Sequence, residues 1–377
     1  MKCGRREFLE MSAGAWLASR LGARADSQLP PLSIKQIRIP VDVTQPFSAL
    51  HVSDSHLTLV NEDDAGDTRK INLANSRSRI FPNAEYYLGE AVATARARNE
   101  LLLHTGDLID FVSYGNLERA SQTFAADDWY ATSGNHEFSK YVGEATEDAA
   151  YKAESYDRVQ AAFPNDLTFA SRVVNGVNFV AIDDVYYNVT EAQHALFEQE
   201  VAKGLPIILL CHVPFYLPGL CAEQLAQDSS AYVTGAPLEV TSQYPSARAA
   251  QQRTDQPTAD FLAWLKEQPL LKGILCGHLH KYHEERFSPT AMQYVCSGNF
   301  QGEVQRITFA ADVSTPASGS FPASDASLPG RLDTRWHAAG GTDTESLLDT
   351  RFFAEGRTDG ESVLDTKTRI GTVLFTR

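Results

Sequence analysis

The stretch GHLHKYH, residues 277–283, has three histidines within six residues and directly follows the apolar run ILC. Neutral imidazole is the commonest metal ligand among protein side chains. His278 and His280 are two positions apart, so in an extended backbone their side chains point the same way. The pair could therefore contribute to a metal site, provided that other segments of the chain supply further ligands.

Other apolar runs end in side chains of the same kind. Gly106 permits a sharp turn before a carboxylate, and an Asp-Ser-His sequence ends the first run. In α/β sheets the carboxyl ends of the strands are where binding sites form. Mixed imidazole and oxygen ligands suit Fe, Mn or Zn better than a calcium site or a structural thiolate site. The polar residues at these ends are Asp54, His56, Asp107, Asp110, Asn135, His136, His212, His278 and His280.

The elements that carry these residues follow from the hydrophobic pattern. Apolar runs alternate with helical patterns from residue 47 onward, which is typical of an α/β domain. Helices are predicted over 83–98, 190–203 and 257–267; the second opens with Thr190 and has Gln193 three residues on, a capping box. The predicted strands are FSALHVSD, ELLLHTGD, DWYATSGN, VNFVAIDD, PIILLCHV, KGILCGH and MQYVCSGN.

Two segments interrupt this rhythm. Residues 61–80 form a long polar insertion after the first predicted strand, and residues 219–256 are rich in Gln, Ser and Ala. We interpret the second segment as a loop or lid. Both are expected to emerge at the carboxyl ends of strands, where long connections commonly shape access to a site.

The order Asp-x-His, Gly-Asp-x-x-Asp, Gly-Asn-His-Glu, His and Gly-His-x-His resembles the calcineurin-like metallophosphoesterase family over roughly residues 47–310. The alternation of strands and helices alone suggests one doubly wound sheet. The resemblance instead implies an α/β fold with four layers, α/β/β/α, in which two mixed β-sheets are flanked by helices. We adopt the second architecture as the prediction.

The resemblance also implies a role for each motif residue. Two divalent or trivalent transition metal ions, Fe, Mn or Zn, would activate a bridging hydroxide that attacks a phosphodiester or a phosphomonoester. His136 would face the substrate and donate a proton or hydrogen bond to the leaving oxygen, while Asp110 would hydrogen-bond His136. The implied ligands are Asp54, His56 and His280 for the first metal, Asn135, His212 and His278 for the second, and Asp107 for both.

Differences from the motifs of particular branches narrow the choice of branch within the family. Purple acid phosphatases have a Tyr at the position of Asp110, and protein Ser/Thr phosphatases continue this block into Asp-Arg-Gly, whereas Asp110 precedes Phe111. The pattern is most similar to the class III cyclic-nucleotide phosphodiesterase-like branch. Aromatic residues near the motifs could stack on a base or an aryl leaving group, or could simply pack in the core. These substrate-binding candidates are Phe215, Tyr216 and Tyr186.

The net charge and the N-terminal sequence limit which partners and which cellular location are expected. The net charge is −15 and no basic stripe is present, which argues against binding to a nucleic-acid duplex. Residues 1–25 resemble a twin-arginine export signal, with Arg5-Arg6 before Phe8-Leu9 and small residues at 23–25; a short amphipathic helix is the alternative. The prediction is export to the periplasm or another extracytoplasmic space, with no transmembrane segment in the mature chain.

The remaining chain divides by composition. Residues 26–310 are predicted to form the catalytic domain, 311–330 a Ser/Pro/Ala-rich linker, and 331–377 a repetitive tail. Leu332, Leu348 and Leu364 mark the 16-residue period of that tail, whose Gly-rich middles predict small β-hairpins. Two further hypotheses stay open: a non-catalytic scaffold with this fold, and a surface-associated protein whose repeats bind a partner.

Overall fold

The computed structural model describes residues 29–125, 129–143 and 148–311. The predicted export signal and C-terminal repeats, and all of the predicted linker beyond its first residue, lie outside the described residues.

Within the described residues, eleven strands form two mixed sheets. The first sheet has the strand order β1-β11-β2-β3-β4 and the second has β5-β6-β7-β8-β10-β9. Parallel pairs within each sheet put successive carboxyl ends at the same edge. The strands are β1 (Ser33–Pro40), β2 (Phe47–Val52), β3 (Leu101–Thr105), β4 (Tyr130–Thr132), β5 (Phe169–Val174), β6 (Val177–Ile182), β7 (Ile207–Leu210), β8 (Leu271–Cys276), β9 (His283–Arg286), β10 (Met292–Val295) and β11 (Glu303–Ala310).

Helices cover the outer faces of both sheets. Most of the longer ones begin with a side-chain cap or a proline, which satisfies or removes free backbone N–H groups, but the longest, Ala84–Arg98, has neither. The helices are α1 (Thr68–Arg77), α2 (Ala84–Arg98), α3 (Tyr114–Phe124), α4 (Ala149–Ala153), α5 (Tyr156–Gln160), α6 (Glu191–Val201), α7 (Pro218–Leu225), α8 (Leu238–Thr241), α9 (Ser246–Gln251) and α10 (Gln256–Lys266). Short 3-10 turns span Glu62–Asp64, His136–Phe138 and Asn299–Gln301.

The alternation of side chains along each strand builds the layers. In β7, Ile208 and Leu210 join the core between the sheets, together with Phe309 of β11. Their neighbours Ile207 and Leu209 face the opposite way, towards the helices of the second sheet. A strand that is apolar on both faces must be covered on both. The predicted sandwich of two mixed sheets flanked by helices is therefore confirmed, and a single doubly wound sheet is not what forms.

The seven predicted strands are all present, but each ends before its polar residues because those residues turn away from the ladder. Helix α6 has the predicted capping box between Thr190 and Gln193. Strands β1, β5, β9 and β11 were not predicted. Among the described helices, none combines the length and apolar composition that crossing a bilayer requires.

The polar insertion and the predicted lid are more ordered than their composition suggests. Helix α1 occupies much of segment 61–80, and its buried positions are Lys70, Ala74 and Arg77. These positions have helical spacing, but two of the three are cationic, so a search for apolar periodicity misses the helix. Segment 219–256 contains most of α7 and all of α8 and α9.

Candidate metal centre

The predicted ligands follow the carboxyl ends of strands in both sheets. Five of them have left-handed backbone conformations, with φ of 52° at Asp54, 50° at His56, 54° at Asp107, 69° at His278 and 52° at His280. Side chains at i and i+2 therefore do not converge through an extended backbone, as the sequence spacing suggested. The backbone turns at each ligand instead. Such conformations cost on the order of 1–2 kcal/mol per residue and are typical of functional sites.

One set of ligands gathers around His56. Its Nε2 lies 3.1 Å from Nε2 of His280, which is 3.3 Å from Oδ1 of Asp54. Because a carboxylate oxygen only accepts, the 3.1 Å contact with Asp110 Oδ1 puts the His56 proton on Nδ1. The His56 Nε2 lone pair then points at another ring nitrogen. Two nitrogens this close need a proton or a cation between them.

A second set gathers around His212. Its Nε2 lies 3.1 Å from Nδ1 of His278 and 3.3 Å from Oδ2 of Asp107. Its Nδ1 donates to the Thr105 carbonyl at 2.7 Å, which again leaves Nε2 with its lone pair free for a ligand. The same tautomer arrangement therefore occurs in both sets, as expected when an outer hydrogen bond orients a metal-binding imidazole.

Asp107 lies between the two sets. Its Oδ2 is 3.8 Å from His56 Nε2 and 3.3 Å from His212 Nε2. Its Oδ1 accepts from the His136 backbone N–H at 2.9 Å. Next to this contact, Oδ1 of Asn135 is buried and has no hydrogen-bond partner among the described residues. A buried acceptor without a partner is costly, and a bound cation would satisfy it. The residues present thus fit a pair of metal ions.

The charges of the site agree with cation binding. Burial raises the pKa of Asp54, but the hydrogen bond and charge of His280 outweigh burial and hold that pKa below its usual range. Burial also raises the pKa of Asp107, and His212 and His136 together bring it well below that range. Burial lowers the pKa of His212, yet the carboxylate of Asp107 raises it to about 10, so without a metal ion a proton occupies the Nε2 position that a cation would take. The carboxylates are therefore ionised and draw positive charge inward.

His136 lies beside the two sets rather than within them. Its Nδ1 donates to the backbone carbonyl of Asp110 at 2.8 Å and lies 3.3 Å from Oδ1 of the same residue. The expected partnership with Asp110 is thus present, but the backbone oxygen is the closer acceptor. The ring is perpendicular to that of His56, with centroids 4.8 Å apart.

Arg77 is a site residue that the sequence analysis missed. It is buried, and it donates to both carboxylate oxygens of Asp110, from Nε at 2.6 Å and from Nη2 at 2.8 Å. Its guanidinium also lies 5.1 Å from the ring centroid of Phe81, which stacks parallel on His56 at 4.4 Å. The helical spacing of Arg77 with Ala74 and Lys70 was the available signal.

Glu137 ends the Gly-Asn-His-Glu motif, which by itself predicts no role for it. Its buried carboxylate accepts from the backbone N–H groups of Asp107 and Leu108, both at 2.7 Å, and of Gly134 at 2.6 Å. Burial and the charge of Asp107 raise the pKa of Glu137 to about 7. Glycine is required at 134, because a Cβ there would collide with Asp107. Glu137 therefore fixes the loop that presents Asp107.

Asp184 does the same for the loop that presents His212. Its Oδ1 accepts from the backbone N–H groups of His212 and Val213, both at 3.1 Å, and its Oδ2 accepts from the Thr234 hydroxyl at 3.3 Å. Burial raises the pKa of Asp184 to about 6. Two buried carboxylates, one from each sheet, thus hold the ligand loops.

The three aromatic candidates differ in their surroundings. Phe215 is fully buried and packs against Phe261 and Phe287, so its role is in the core. Tyr216 lines a cavity of about 400 Å³. Tyr186 lines a larger cavity of about 810 Å³.

A model of the calcineurin-like phosphoesterase family matches residues 47–282. Three solved structures are similar to the chain: a dimetal phosphatase from Danio rerio (13% identity, TM-score 0.39, 68% of this chain and 88% of that one), purple acid phosphatase PPD1 from yellow lupin seeds (13%, 0.40, 75% and 57%), and 5′-nucleotidase from Candida albicans (15%, 0.33, 70% and 48%). The chain spans less than two thirds of the latter two proteins. The comparison with curated proteins found no match.

Proposed function

Because the chain belongs to the calcineurin-like phosphoesterase family, we propose that it hydrolyses a small phosphomonoester or phosphodiester with two transition metal ions, Fe, Mn or Zn. The observation that supports this most directly is the position of Asp107. One oxygen of this carboxylate lies 3.8 Å from His56 Nε2 and 3.3 Å from His212 Nε2. A carboxylate shared by two imidazole sets is the donor arrangement of a two-metal site.

In this proposal the protein ligands divide into two sets that share one carboxylate. When bound, the two ions supply positive charge to the phosphoryl oxygens and lower the pKa of a water molecule to about 7. The ligands are Asp54, His56 and His280 for one ion, Asn135, His212 and His278 for the other, and Asp107 for both.

The remaining residues orient this site and handle a proton. The Asp110 carboxylate and the Thr105 carbonyl keep the protons of His56 and His212 on Nδ1, so that each Nε2 can bind a cation. The Nδ1 of His136 donates to the Asp110 carbonyl. In its protonated form the ring also carries a proton on Nε2, which it can donate to the leaving oxygen. Proton donation of this kind contributes typically about 10²–10⁴-fold to a rate.

The class III cyclic-nucleotide phosphodiesterase-like branch is our proposal for the subgroup. The Asp54-x-His56 pair and an Asp at position 110 support it, as does the Arg77 fork, which needs a carboxylate rather than a Tyr at that position. This branch includes enzymes with monoester and with diester substrates, so the reaction itself must be measured.

The test is metal analysis of the purified full chain, followed by hydrolysis of 4-nitrophenyl phosphate and bis(4-nitrophenyl) phosphate with Mn, Fe or Zn. We expect about two equivalents of metal and metal-dependent turnover of at least one ester. Diester preference would support the phosphodiesterase-like subgroup. Two bound metals without turnover of either ester would favour the scaffold hypothesis, and less than one equivalent would contradict a two-metal centre.

We also propose that the protein is exported by the twin-arginine route, on the evidence of residues 1–25 alone. Replacing Arg5 and Arg6 by Lys should leave the precursor in the cytoplasm, whereas Lys2→Arg, the matched control, should be exported normally. Export of the double variant at the control level would reject the proposal.

The C-terminal repeats remain a separate prediction, that they bind a partner. A chain that ends after Ala311 keeps all of β11. It should bind metal and turn over substrate like the full chain, and any partner binding should be lost.

A further inference from the structure

A cavity of about 810 Å³ lies against the loop that follows β6. Small-molecule sites in proteins commonly have volumes of about 300–1,000 Å³, whereas a phosphate group alone needs far less. The wall of the cavity includes Asp183, Val185 and Tyr186 of the loop after β6, Lys152 of helix α4 and Arg248 of helix α9. Apolar surface, amide groups and two cationic side chains thus face the same space.

The cavity adjoins the His212 set of ligands. The loop that forms its wall also contains Asp184, which holds the His212 backbone, and Tyr187, whose hydroxyl lies 3.4 Å from His278 Nε2. The Tyr232 ring lies 6.2 Å from the His278 ring and 5.1 Å from the Arg248 guanidinium. The Tyr232 ring therefore lies between Arg248, in the cavity wall, and His278, a predicted metal-binding residue.

A second contact links the cavity wall to the turn that contains His136. Lys152 pairs with Asp183 across the cavity wall, and its Nζ lies 4.6 Å from the ring centroid of Phe138. Phe138 belongs to the same 3-10 turn as His136. In the proposed function His136 donates to the leaving oxygen, so the cavity wall contacts the same turn that would bind the leaving group.

The charges in the wall are compatible with an anionic group. Asp183 is paired with Lys152, and Asp148 caps helix α4 by accepting from the Tyr151 N–H at 2.9 Å. Arg248 is 5% exposed, stacks over Tyr232 and donates from Nη1 to Gln251 at 2.6 Å. A guanidinium held in a fixed orientation is well suited to bind a carboxylate or phosphate.

We propose that this cavity binds the leaving group of the phosphoester and that Arg248 contacts a second anionic group, a phosphate or a carboxylate, on that leaving group. The inference rests on the proposed function and names its substrate class. The substrate is an organic phosphoester with an additional negative charge beyond the reacting phosphate, rather than an ester of a neutral alcohol.

The test compares isosteric esters that differ in charge. Carboxyphenyl and carboxybiphenyl phosphates are each paired with the corresponding carboxamide, and kcat/KM is measured for all four with the metal-loaded full chain. We expect the wild type to prefer the carboxylate in at least one pair. Arg248→Gln should lower kcat/KM for that carboxylate by roughly 10–100-fold, the range for a hydrogen bond to a charged group, and change the carboxamide little.

Two further variants make the result interpretable. Arg253→Gln, an exposed arginine in the same part of the chain, should keep the wild-type preference. Ala149→Phe narrows the cavity from its rim and should slow the biphenyl esters but not the phenyl esters, which tests the cavity even if Arg248→Gln does not fold.

The outcomes separate this inference from the function on which it depends. Equal rates for carboxylates and carboxamides in the wild type, or an equal loss for both in Arg248→Gln, would overturn the role of Arg248. Unchanged biphenyl rates in Ala149→Phe would overturn the cavity as the leaving-group site. No turnover of any ester by the metal-loaded wild type would instead remove the proposed function itself.

Discussion

Arg77 and Asp110 form a two-pronged ion pair inside the protein, with Nε–Oδ2 and Nη2–Oδ1 distances of 2.6 and 2.8 Å. The same carboxylate lies 3.1 Å from Nδ1 of His56 and 3.3 Å from Nδ1 of His136. One guanidinium from helix α1 therefore orients the carboxylate that touches both a proposed metal ligand and the proposed proton donor. The polar insertion is part of the site.

Arg77→Met should leave the buried Asp110 carboxylate without its cation. Breaking a buried pair from one side costs about 3–5 kcal/mol of unfolding free energy, and turnover should fall because both imidazoles lose their orientation. Arg77→Lys should restore part of the stability but less of the activity, since an ammonium cannot make the two-pronged contact. Urea unfolding and kcat are the measurements. Arg79→Met, at an exposed position, is the control, and equal effects at the two positions would contradict the role of Arg77.

Glu137→Gln should loosen the loop that presents Asp107. The carboxylate accepts from three backbone N–H groups in two loops, and a Gln amide replaces one acceptor oxygen by a donor that would face them. A loss of about 1–3 kcal/mol in unfolding free energy follows from one unsatisfied buried group. The metal-free protein should be used, with the exposed Glu198→Gln as control. A stability equal to that of the control would show that the carboxylate is dispensable.

His136→Asn should separate catalysis from metal binding. The His136 side chain donates to Asp110 and packs edge-on against His56, while its contact with Asp107 is made by the backbone N–H, which the substitution keeps. Metal content should therefore stay at the wild-type level while kcat falls by about 10²–10⁴-fold. Metal analysis and steady-state kinetics on the same sample measure both. Loss of metal in this variant would mean that His136 is itself a ligand.

His51 should contribute to a loss of stability of the metal-free protein in acid. Burial lowers the pKa of His51 to about 4, and its two ring nitrogens are hydrogen-bonded to Gln305 and Thr105. The unfolded state therefore takes up the proton first, and stability falls as the pH drops from about 6.5 to about 4. For a fully buried group this amounts to about 3 kcal/mol. His51→Gln should flatten the decline in this interval, as measured by urea unfolding at a series of pH values; an unchanged slope would assign the acid sensitivity elsewhere.

The site residues that sequence reasoning could locate are those that end apolar runs. Asp54, Asp107, His212 and His278 each follow a buried strand, so the hydrophobic pattern and the residue type coincide. In each of the two sheets, the edge on which they lie then follows from parallel pairing. The left-handed turns at the ligands could not be read from the spacing, because extended and turned backbones can place i and i+2 side chains near the same point.

Residues that act through charge on helices and loops were harder to find. Arg77 lies in a segment whose buried face is cationic, and its partner is 33 positions away. Strand β1 pairs with β11, which lies about 270 residues later in the sequence, so no local sequence signal indicates that the two strands are partners. Glu137 is part of the Gly-Asn-His-Glu motif in the sequence, but its role depends on backbone N–H groups of two loops that come together only in the folded chain.

The most direct test of the two-metal account is the metal content of Asp107→Asn. A neutral amide offers one oxygen and no charge where the carboxylate lies between the His56 and His212 sets. At a metal concentration that gives the wild type and the exposed control Asp42→Asn about two equivalents, the variant should hold well under one equivalent, since both sites are weakened together. A variant that keeps one full equivalent would show that Asp107 serves a single site and would contradict the shared carboxylate on which the proposed function depends.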